Sequence, residues 1–220
     1  MWQFDVAVLS LFSNLQIIKF SNPFFIFKSS HFQIDMMTVT ELCEQLAATF
    51  GKTKVNKLVV ILKEKNFALR DLIDLTFNAD KTIAFRAAWL LENVFLLDPV
   101  FYLPELDYLL TRFSDVTYPS CQRHYAKIIM HLTSAKVYPA IKIKLQQTNL
   151  EPIVERCFHW MIDPKVLIAV KVHASEALFN LRHRYPWINE ELASQLQFLM
   201  RDGSAAIQTR GRKLLIALSR

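Results

Sequence analysis

From Thr38 to the end of the chain, apolar residues recur every three or four positions, which is the spacing of one face of an α-helix. Short polar or proline-containing breaks interrupt the pattern, for example at residues 78–80 and 98–99. The sequence therefore predicts a long series of helices joined by tight turns. The predicted helical stretches are 38–50, 55–62, 67–77, 82–97, 104–113, 120–134, 138–147, 150–161, 164–184, 187–201 and 204–218.

Four of the breaks contain an aspartate, and a lysine or arginine follows just inside the next helix. The pairs are Asp80 with Arg86, Asp115 with Arg123, Asp163 with Lys171, and Asp202 with Arg210. Successive aspartates lie 35, 48 and 39 residues apart. Such a recurring helix-turn-helix unit indicates stacking, because a lone helix pair cannot bury its apolar face. We therefore predict an all-α fold in residues 37–220, a right-handed α-solenoid of about four to five helix pairs.

The first 36 residues do not follow this pattern. Seven of the 17 phenylalanines fall within them, at no sustained spacing. The longest uncharged run, residues 6–18, is shorter than the ~20 apolar residues of a membrane span, and a signal peptide would need a basic start. We expect residues 1–36 to be a leader outside the fold, with native translation starting at Met36 or Met37. A peripheral membrane anchor is the alternative.

Composition and short motifs argue against catalysis. Hydrophobic residues make up 52% of the chain, and only 3 glycines occur in 220 residues, which favours helices and disfavours a glycine-rich phosphate loop. The cysteines, Cys43, Cys121 and Cys157, have no metal-type spacing, so we interpret them as reduced core thiols of a cytoplasmic protein. Cys121, His124 and His131 share one predicted helix, and we interpret them as packed residues. No metal and no cofactor is expected.

The recurring unit resembles HEAT and armadillo repeats. Its spacing brackets the ~40 to 47 residues of those families, and small residues follow the cation at Ala126 and Ala174. In such repeats a turn aspartate and a cation early in the second helix connect neighbouring units, which is the role that the resemblance implies for the four pairs. More narrowly, residues 85–95, 156–163 and 185–192 resemble a family of short bacterial helical-repeat proteins of unassigned function.

Some members of that bacterial family are labelled adenylosuccinate lyase. The lyase superfamily needs a flexible Ser-Ser-x-Met-Pro-type loop that supplies the catalytic serine. The one Ser-Ser pair here is Ser29-Ser30, and it is followed by His31 and Phe32. We therefore reject the lyase chemistry and expect a protein that is not an enzyme.

The distribution of charge leaves two kinds of partner open. Residues 37–117 hold 9 Lys and Arg against 11 Asp and Glu, residues 118–149 hold 5 against 0, and residues 150–220 hold 10 against 7. A basic C-terminal half could follow a phosphate backbone, so a nucleic-acid-binding protein is the alternative. We favour a protein partner, because three of the basic residues are already assigned to links between units.

Three tryptophans, Trp89, Trp160 and Trp187, lie in or beside the apolar stripes, and we expect all three to be buried. Solenoids generally bind through the layer formed by the second helix of each pair. The polar positions of those helices are therefore our candidate contact residues for a protein partner. They are Glu92, Lys127, Glu176 and Arg182.

Overall fold

The structure is a computed structural model that describes residues 36–48 and 51–219. The chain divides into two units, Met1–Ile34 and Asp35–Arg220, and every described residue belongs to the second. Apart from Met36, the leader predicted for residues 1–36 lies outside the described residues.

All regular structure in the described residues is helical, as predicted. A 3₁₀ segment, Pro99–Glu105, lies between the fourth and fifth of eleven α-helices. The helices are α1 (Val39–Ala47), α2 (Lys52–Glu64), α3 (Leu69–Leu75), α4 (Lys81–Leu97), α5 (Leu106–Phe113), α6 (Pro119–Leu132), α7 (Pro139–Gln147), α8 (Glu151–Ile162), α9 (Ile168–Leu181), α10 (Ile188–Met200) and α11 (Ala205–Leu218).

Local side-chain chemistry fixes several helix starts. Thr38 and Glu41 form a capping box, in which the Thr38 hydroxyl accepts from the Glu41 amide at 3.2 Å and the Glu41 carboxylate accepts from the Thr38 amide at 2.7 Å. Asp80 caps α4 by accepting from the Thr82 amide at 2.7 Å. Pro119 occupies the first turn of α6, where its missing N–H costs no hydrogen bond.

The helices stack in series, as the repeats predict. The second helices of successive pairs contact one another in the order α4, α6, α9, α11. The first helices pack against them, with α3 on α4, α8 on α9, and α10 on both α9 and α11. The lead-in helices α1 and α2 both contact α4. This arrangement is an α-solenoid in which each pair shields its neighbours from water.

The core runs continuously through the stacked pairs, from Leu42 to Leu214. Aromatic rings pack between successive helix pairs. For example, the ring centroids of Phe113 on α5 and Trp160 on α8 lie 4.7 Å apart. Of the three cysteines predicted to be core residues, Cys121 and Cys157 are buried, and Cys43 is only partly buried against the core. Burial raises the pKa of both Cys121 and Cys157 to about 12, so their thiols stay protonated at neutral pH.

One of the three tryptophan predictions is wrong. Trp160 is only 2% exposed and Trp89 is partly buried, but Trp187 is 47% exposed. Trp187 lies at the N-cap of α10, where the helix begins. Its ring stacks on that of Phe158, with the ring centroids 5.4 Å apart.

Two glycines of the last helix pair lie at close approaches. An added Cβ at Gly203 would overlap the Leu199 carbonyl oxygen, whereas one at Gly211 would overlap only the flexible Met200 side chain. We expect Gly203→Ala to lower the free energy of unfolding by about 2 kcal/mol. We expect Gly211→Ala to change it by less than about 0.5 kcal/mol, since alanine's helix propensity offsets the repacking. Urea denaturation measures both, and equal losses would contradict the prediction.

Candidate partner-binding surface

The second helices present a row of ionisable side chains, which we call the second-helix strip. Residues three or four positions apart share one face of a helix, so each helix contributes one to three members. The helices themselves lie side by side. The strip consists of Glu92 on α4, Arg123, Lys127 and His131 on α6, His173 and Glu176 on α9, and Arg210 on α11.

Glu92 is the most buried carboxylate of the strip and binds two side chains of the next unit. Its Oε2 atom accepts from His124 Nδ1 at 2.6 Å, and its Oε1 atom accepts from Lys127 Nζ at 2.6 Å. The Glu92 and His124 side chains are each 8% exposed. Burial alone would raise the pKa of Glu92, but the hydrogen bonds and positive charges of His124 and Lys127 lower it to about 2. Glu92 is therefore ionised and connects α4 to α6.

Glu176 and Arg210 form the corresponding link between the last two second helices. The Arg210 Nη1 atom lies 2.7 Å from Glu176 Oε2. Both side chains are more exposed than that of Glu92, so water screens this pair more strongly. The strip thus has an ion pair at each end, and each pair crosses from one unit to the next.

The two histidines of the strip are held in the neutral form. Burial, and to a smaller extent the positive charges of Lys127, Arg123 and Arg210, together lower the pKa of His173 to about 4. Burial and Lys127 also lower the pKa of His131. At neutral pH the formal charges of the strip therefore come from two carboxylates and three cations.

The four aspartates of the predicted ladder act within their own turns or face solvent. In the described residues, no ladder aspartate forms an ion pair with the lysine or arginine that the sequence paired it with. Asp202 is exposed. The others bind nearby groups: Asp80 the Thr82 amide, Asp115 the Arg112 guanidinium at 2.8 Å, and Asp163 the Lys165 amide at 2.8 Å.

Two of the four ladder cations bind carbonyl oxygens at the C-terminal end of an earlier helix. Arg86 donates to Leu46 O and Ala48 O, both at 2.6 Å, at the end of α1. Lys171 donates to Met161 O at 2.9 Å, near the end of α8. The last carbonyls of a helix lack partners and carry partial negative charge, so they attract a cation as a carboxylate would.

The other two ladder cations belong to the second-helix strip. Arg210 pairs with Glu176, as described above. Arg123 is exposed, and it lies close enough to His173 to lower the pKa of that imidazole. Arg123 has no hydrogen bond or ion pair to another described residue.

Sequence reasoning did not find two further cations with the same structural role. Arg184 donates to Leu145 O at 2.7 Å and to Thr148 O at 2.6 Å, at the end of α7. Arg156 donates to Val116 O at 3.2 Å, in the turn that follows α5. Every residue has a backbone carbonyl, so the sequence does not show which carbonyl a cation will bind. The one signal available was the position of each cation relative to the predicted helices.

Of the four candidate contact residues, three lie in the strip and the fourth lies elsewhere. Arg182 follows the last residue of α9 and donates a hydrogen bond to Phe179 O at 2.8 Å. Its guanidinium carbon also lies 3.7 Å from the centroid of the Phe179 ring. It lines a cleft of about 800 Å³ at the C-terminal ends of α6 and α9, with Lys142, His183 and Arg184. We call this the basic cleft.

Two further features were searched for within the described part of the chain. There, no three His, Cys, Asp or Glu side chains are grouped so that they could hold a metal ion. Among the same residues, every helix is too short or too polar to cross a bilayer.

Comparison with known proteins tests the resemblance to helical repeats. No curated protein matches the chain. Among solved structures, the chain is similar to a designed armadillo repeat protein, YIII(Dq)4CqI, with 15% sequence identity and a TM-score of 0.35 over 82% of this chain and 100% of that one. The family model described as "HEAT repeat domain" matches residues 42–218. That match spans most of the chain, and the protein therefore belongs to the HEAT repeat domain family.

Proposed function

We propose that this protein is a non-catalytic scaffold that binds a protein partner along the second-helix strip. HEAT repeats commonly serve as protein-interaction scaffolds. In this proposal, residues 37–220 form the binding domain and residues 1–36 lie outside it. The unpaired thiols Cys121 and Cys157 support a reducing compartment, the cytoplasm.

The single observation that carries the proposal is the alternation of charge along the strip. Glu92 and Lys127 form one ion pair, and Glu176 and Arg210 form another. Each carboxylate neutralises one cation and so weakens the attraction of the strip for a phosphate backbone, whereas a protein surface can offer cations and anions at matching positions. The strip therefore suits a partner with charges of both signs better than it suits a polyanion.

Arg123 is the best placed residue of the strip to make a new contact. Its side chain is exposed, and no described residue forms a hydrogen bond or an ion pair with it. Glu92, by contrast, is buried and already binds His124 and Lys127. Glu92 therefore supports the surface by holding Lys127 in place, and we expect Arg123 and Lys127 to touch the partner.

The basic cleft supports the second candidate function, nucleic-acid binding. Lys142, Arg182, His183 and Arg184 line it, and all four side chains carry or can acquire positive charge. However, Arg182 and Arg184 already donate to carbonyl oxygens of the chain, which reduces what they can offer to a phosphate. A cleft used in this way would bind duplex or single strands with an affinity that falls steeply with salt.

A charge reversal at Arg123 tests the scaffold function. The tagged full-length protein, purified from its native cell with and without nuclease, should retain a stoichiometric protein partner in both cases. We expect Arg123→Glu to reduce recovery of that partner by about tenfold or more, because a reversed rim charge repels the partner's matching group. Lys57→Glu, an exposed charge reversal on α2, is the matched control and should leave recovery unchanged.

Two results would overturn the scaffold function in favour of the alternative. Loss of the partner on nuclease treatment would indicate that nucleic acid bridges the two proteins. The protein could also shift the electrophoretic mobility of duplex or single-stranded nucleic acid in a salt-sensitive way. If Arg182→Glu abolished that shift and Arg123→Glu left it unchanged, binding would be located in the basic cleft.

A further inference from the structure

The first helices of the last two pairs leave a groove that the second-helix strip does not involve. It lies between α8 and α10 and has a volume of about 660 Å³. Its floor is apolar and is formed by Phe158, Ile162, Pro164 and Trp187. Phe158 is buried, whereas Trp187 is 47% exposed and Ile162 is 59% exposed. Large apolar side chains that meet in one exposed groove are typical of interaction sites, because single exposed residues are common and clusters are not.

A second exposed aromatic ring lies further along α10, separated from the groove by the polar residues Ser194 and Gln195. Phe198 lies eleven positions after Trp187, which is about three turns, so the two side chains share a helix face. Phe198 is 62% exposed. Glu191 lies between them on the same face, so this face of α10 combines two exposed aromatic rings with a carboxylate.

The rim of the groove is acidic. It is formed by Glu155, Asp163 and Glu191, all exposed, and His159 is the basic side chain that also lines the groove. Within the described residues, none of the three carboxylates forms an ion pair. This acidity is local, because residues 118–220 carry 15 Lys and Arg against 7 Asp and Glu.

Helix stability accounts for only one of these carboxylates. Glu191 lies in the first turn of α10, where the helix dipole favours a negative charge. Glu155 lies within α8, and Asp163 is the C-cap of α8, where the dipole disfavours a negative charge. Asp163 instead accepts a hydrogen bond from the Lys165 amide in the turn after α8. Among the described residues, Glu155 is therefore the rim carboxylate without a hydrogen bond or ion pair.

We infer that the groove between α8 and α10 docks a segment of a protein partner that carries aliphatic or aromatic side chains flanked by lysine or arginine. The apolar side chains of the segment cover Trp187 and Ile162, and its cations pair with the rim carboxylates. The charge of the rim decides the choice of occupant, since an acidic or uncharged segment would leave three carboxylates unpaired. This site is distinct from the second-helix strip.

Two synthetic peptides provide the test. One is a fluorescein-labelled peptide of leucine, phenylalanine and lysine, and the other has glutamate in place of every lysine. Fluorescence anisotropy with the full-length protein should show that the lysine peptide binds at least about tenfold more tightly than the glutamate peptide. Its affinity should also fall as salt is added, because the rim charges are exposed.

Variants locate the binding. We expect Ile162→Lys to weaken binding of the lysine peptide by about tenfold or more, because it places a cation on the apolar floor. The double variant Glu155→Lys with Glu191→Lys should weaken binding by a similar factor, because it removes rim carboxylates. Glu64→Lys, an exposed acid on α2, is the matched control and should bind as the wild type does. Arg123→Glu should also bind normally, so failure here is distinguishable from failure of the proposed scaffold surface.

Three outcomes would overturn the inference. The two peptides could bind equally, or Ile162→Lys could bind the lysine peptide as the wild type does. Sedimentation velocity could instead show a dimer that Ile162→Lys dissociates, which would make a second copy of this chain the occupant. All of the substituted side chains are exposed, so we expect each variant to fold. Circular dichroism of each variant checks that the helices are intact.

Discussion

Replacing Glu92 with glutamine is expected to lower the free energy of unfolding by about 3 kcal/mol at pH 7, because removing one member of a buried ion pair leaves its partners uncompensated. His124 and Lys127 both bind the Glu92 carboxylate at 2.6 Å, and the Glu92 side chain is 8% exposed. Glutamine keeps the shape and removes the charge. Urea denaturation followed by circular dichroism measures the change.

The matched control for this prediction is Glu176→Gln. Glu176 pairs with Arg210 at 2.7 Å, but the two side chains are 24% and 39% exposed. Because water screens an exposed pair, we expect its loss to cost less than about 1 kcal/mol. Equal losses for the two variants would show that burial does not strengthen the link at Glu92.

The dependence of stability on pH gives an independent measure of the same pair. The pKa of Glu92 is about 2 in the folded chain, against an ordinary value of 4.5. The carboxylate therefore stabilises the fold above pH 4.5, and we expect about 3 kcal/mol of that stability to be lost as the pH falls toward 2. In Glu92→Gln this loss should be absent.

His173 contributes a separate loss at higher pH, which the same titration can resolve. Its pKa is about 4 in the folded chain, against an ordinary value of 6.5, so the fold favours the neutral imidazole. Its contribution is present above pH 6.5 and is lost as the pH falls toward 4. This loss should remain in Glu92→Gln, which separates the two groups.

Replacing Trp160 with alanine is expected to lower the free energy of unfolding by about 4 kcal/mol, as for other large aromatic side chains deleted from a core. Trp160 on α8 is 2% exposed, and its ring lies 4.7 Å from that of Phe113 on α5. The contact joins the first helices of neighbouring pairs. Because a repeat contacts only its neighbours, the cavity should also weaken the coupling between the two parts of the solenoid.

Urea denaturation can detect both effects of Trp160→Ala. A lower midpoint reports the lost packing, and a lower slope or a second transition reports that the pairs no longer unfold together. Trp187→Ala is the matched control: because Trp187 is 47% exposed, we expect it to cost less than about 1.5 kcal/mol. A similar loss for both tryptophans would contradict the assignment of Trp160 to the joint between pairs.

The helices and their order could be predicted from the sequence because both depend on local patterns. The capping box at Thr38 and the proline at Pro119 mark helix starts without any tertiary information. The prediction was less accurate where a turn contains apolar residues. The ninth helix was expected from residue 164 but begins at Ile168, since Val166 and Leu167 belong to the preceding turn and continue the apolar pattern.

The contacts of the candidate site could be predicted only in part. The positions of Lys127 and Glu176 on the second helices follow from helical periodicity. The pairing of Glu92 with Lys127 does not, because it depends on how α4 and α6 are aligned across 35 residues of chain. Trp187 was expected in the core because it lies beside an apolar stripe. A residue at a helix end can continue such a stripe while its ring stays exposed to water, and Trp187 is 47% exposed.

The use of backbone oxygens at the helix joints has a consequence for how this sequence can change. Arg86, Lys171 and Arg184 each hold carbonyl groups at a helix end, and every residue type supplies the same carbonyl. A substitution at Leu46 or Ala48 therefore leaves the acceptor in place. The identity of the residue that supplies the carbonyl is thus free to change where its side chain is exposed, as at Ala48, while the basic residue that binds it must be kept.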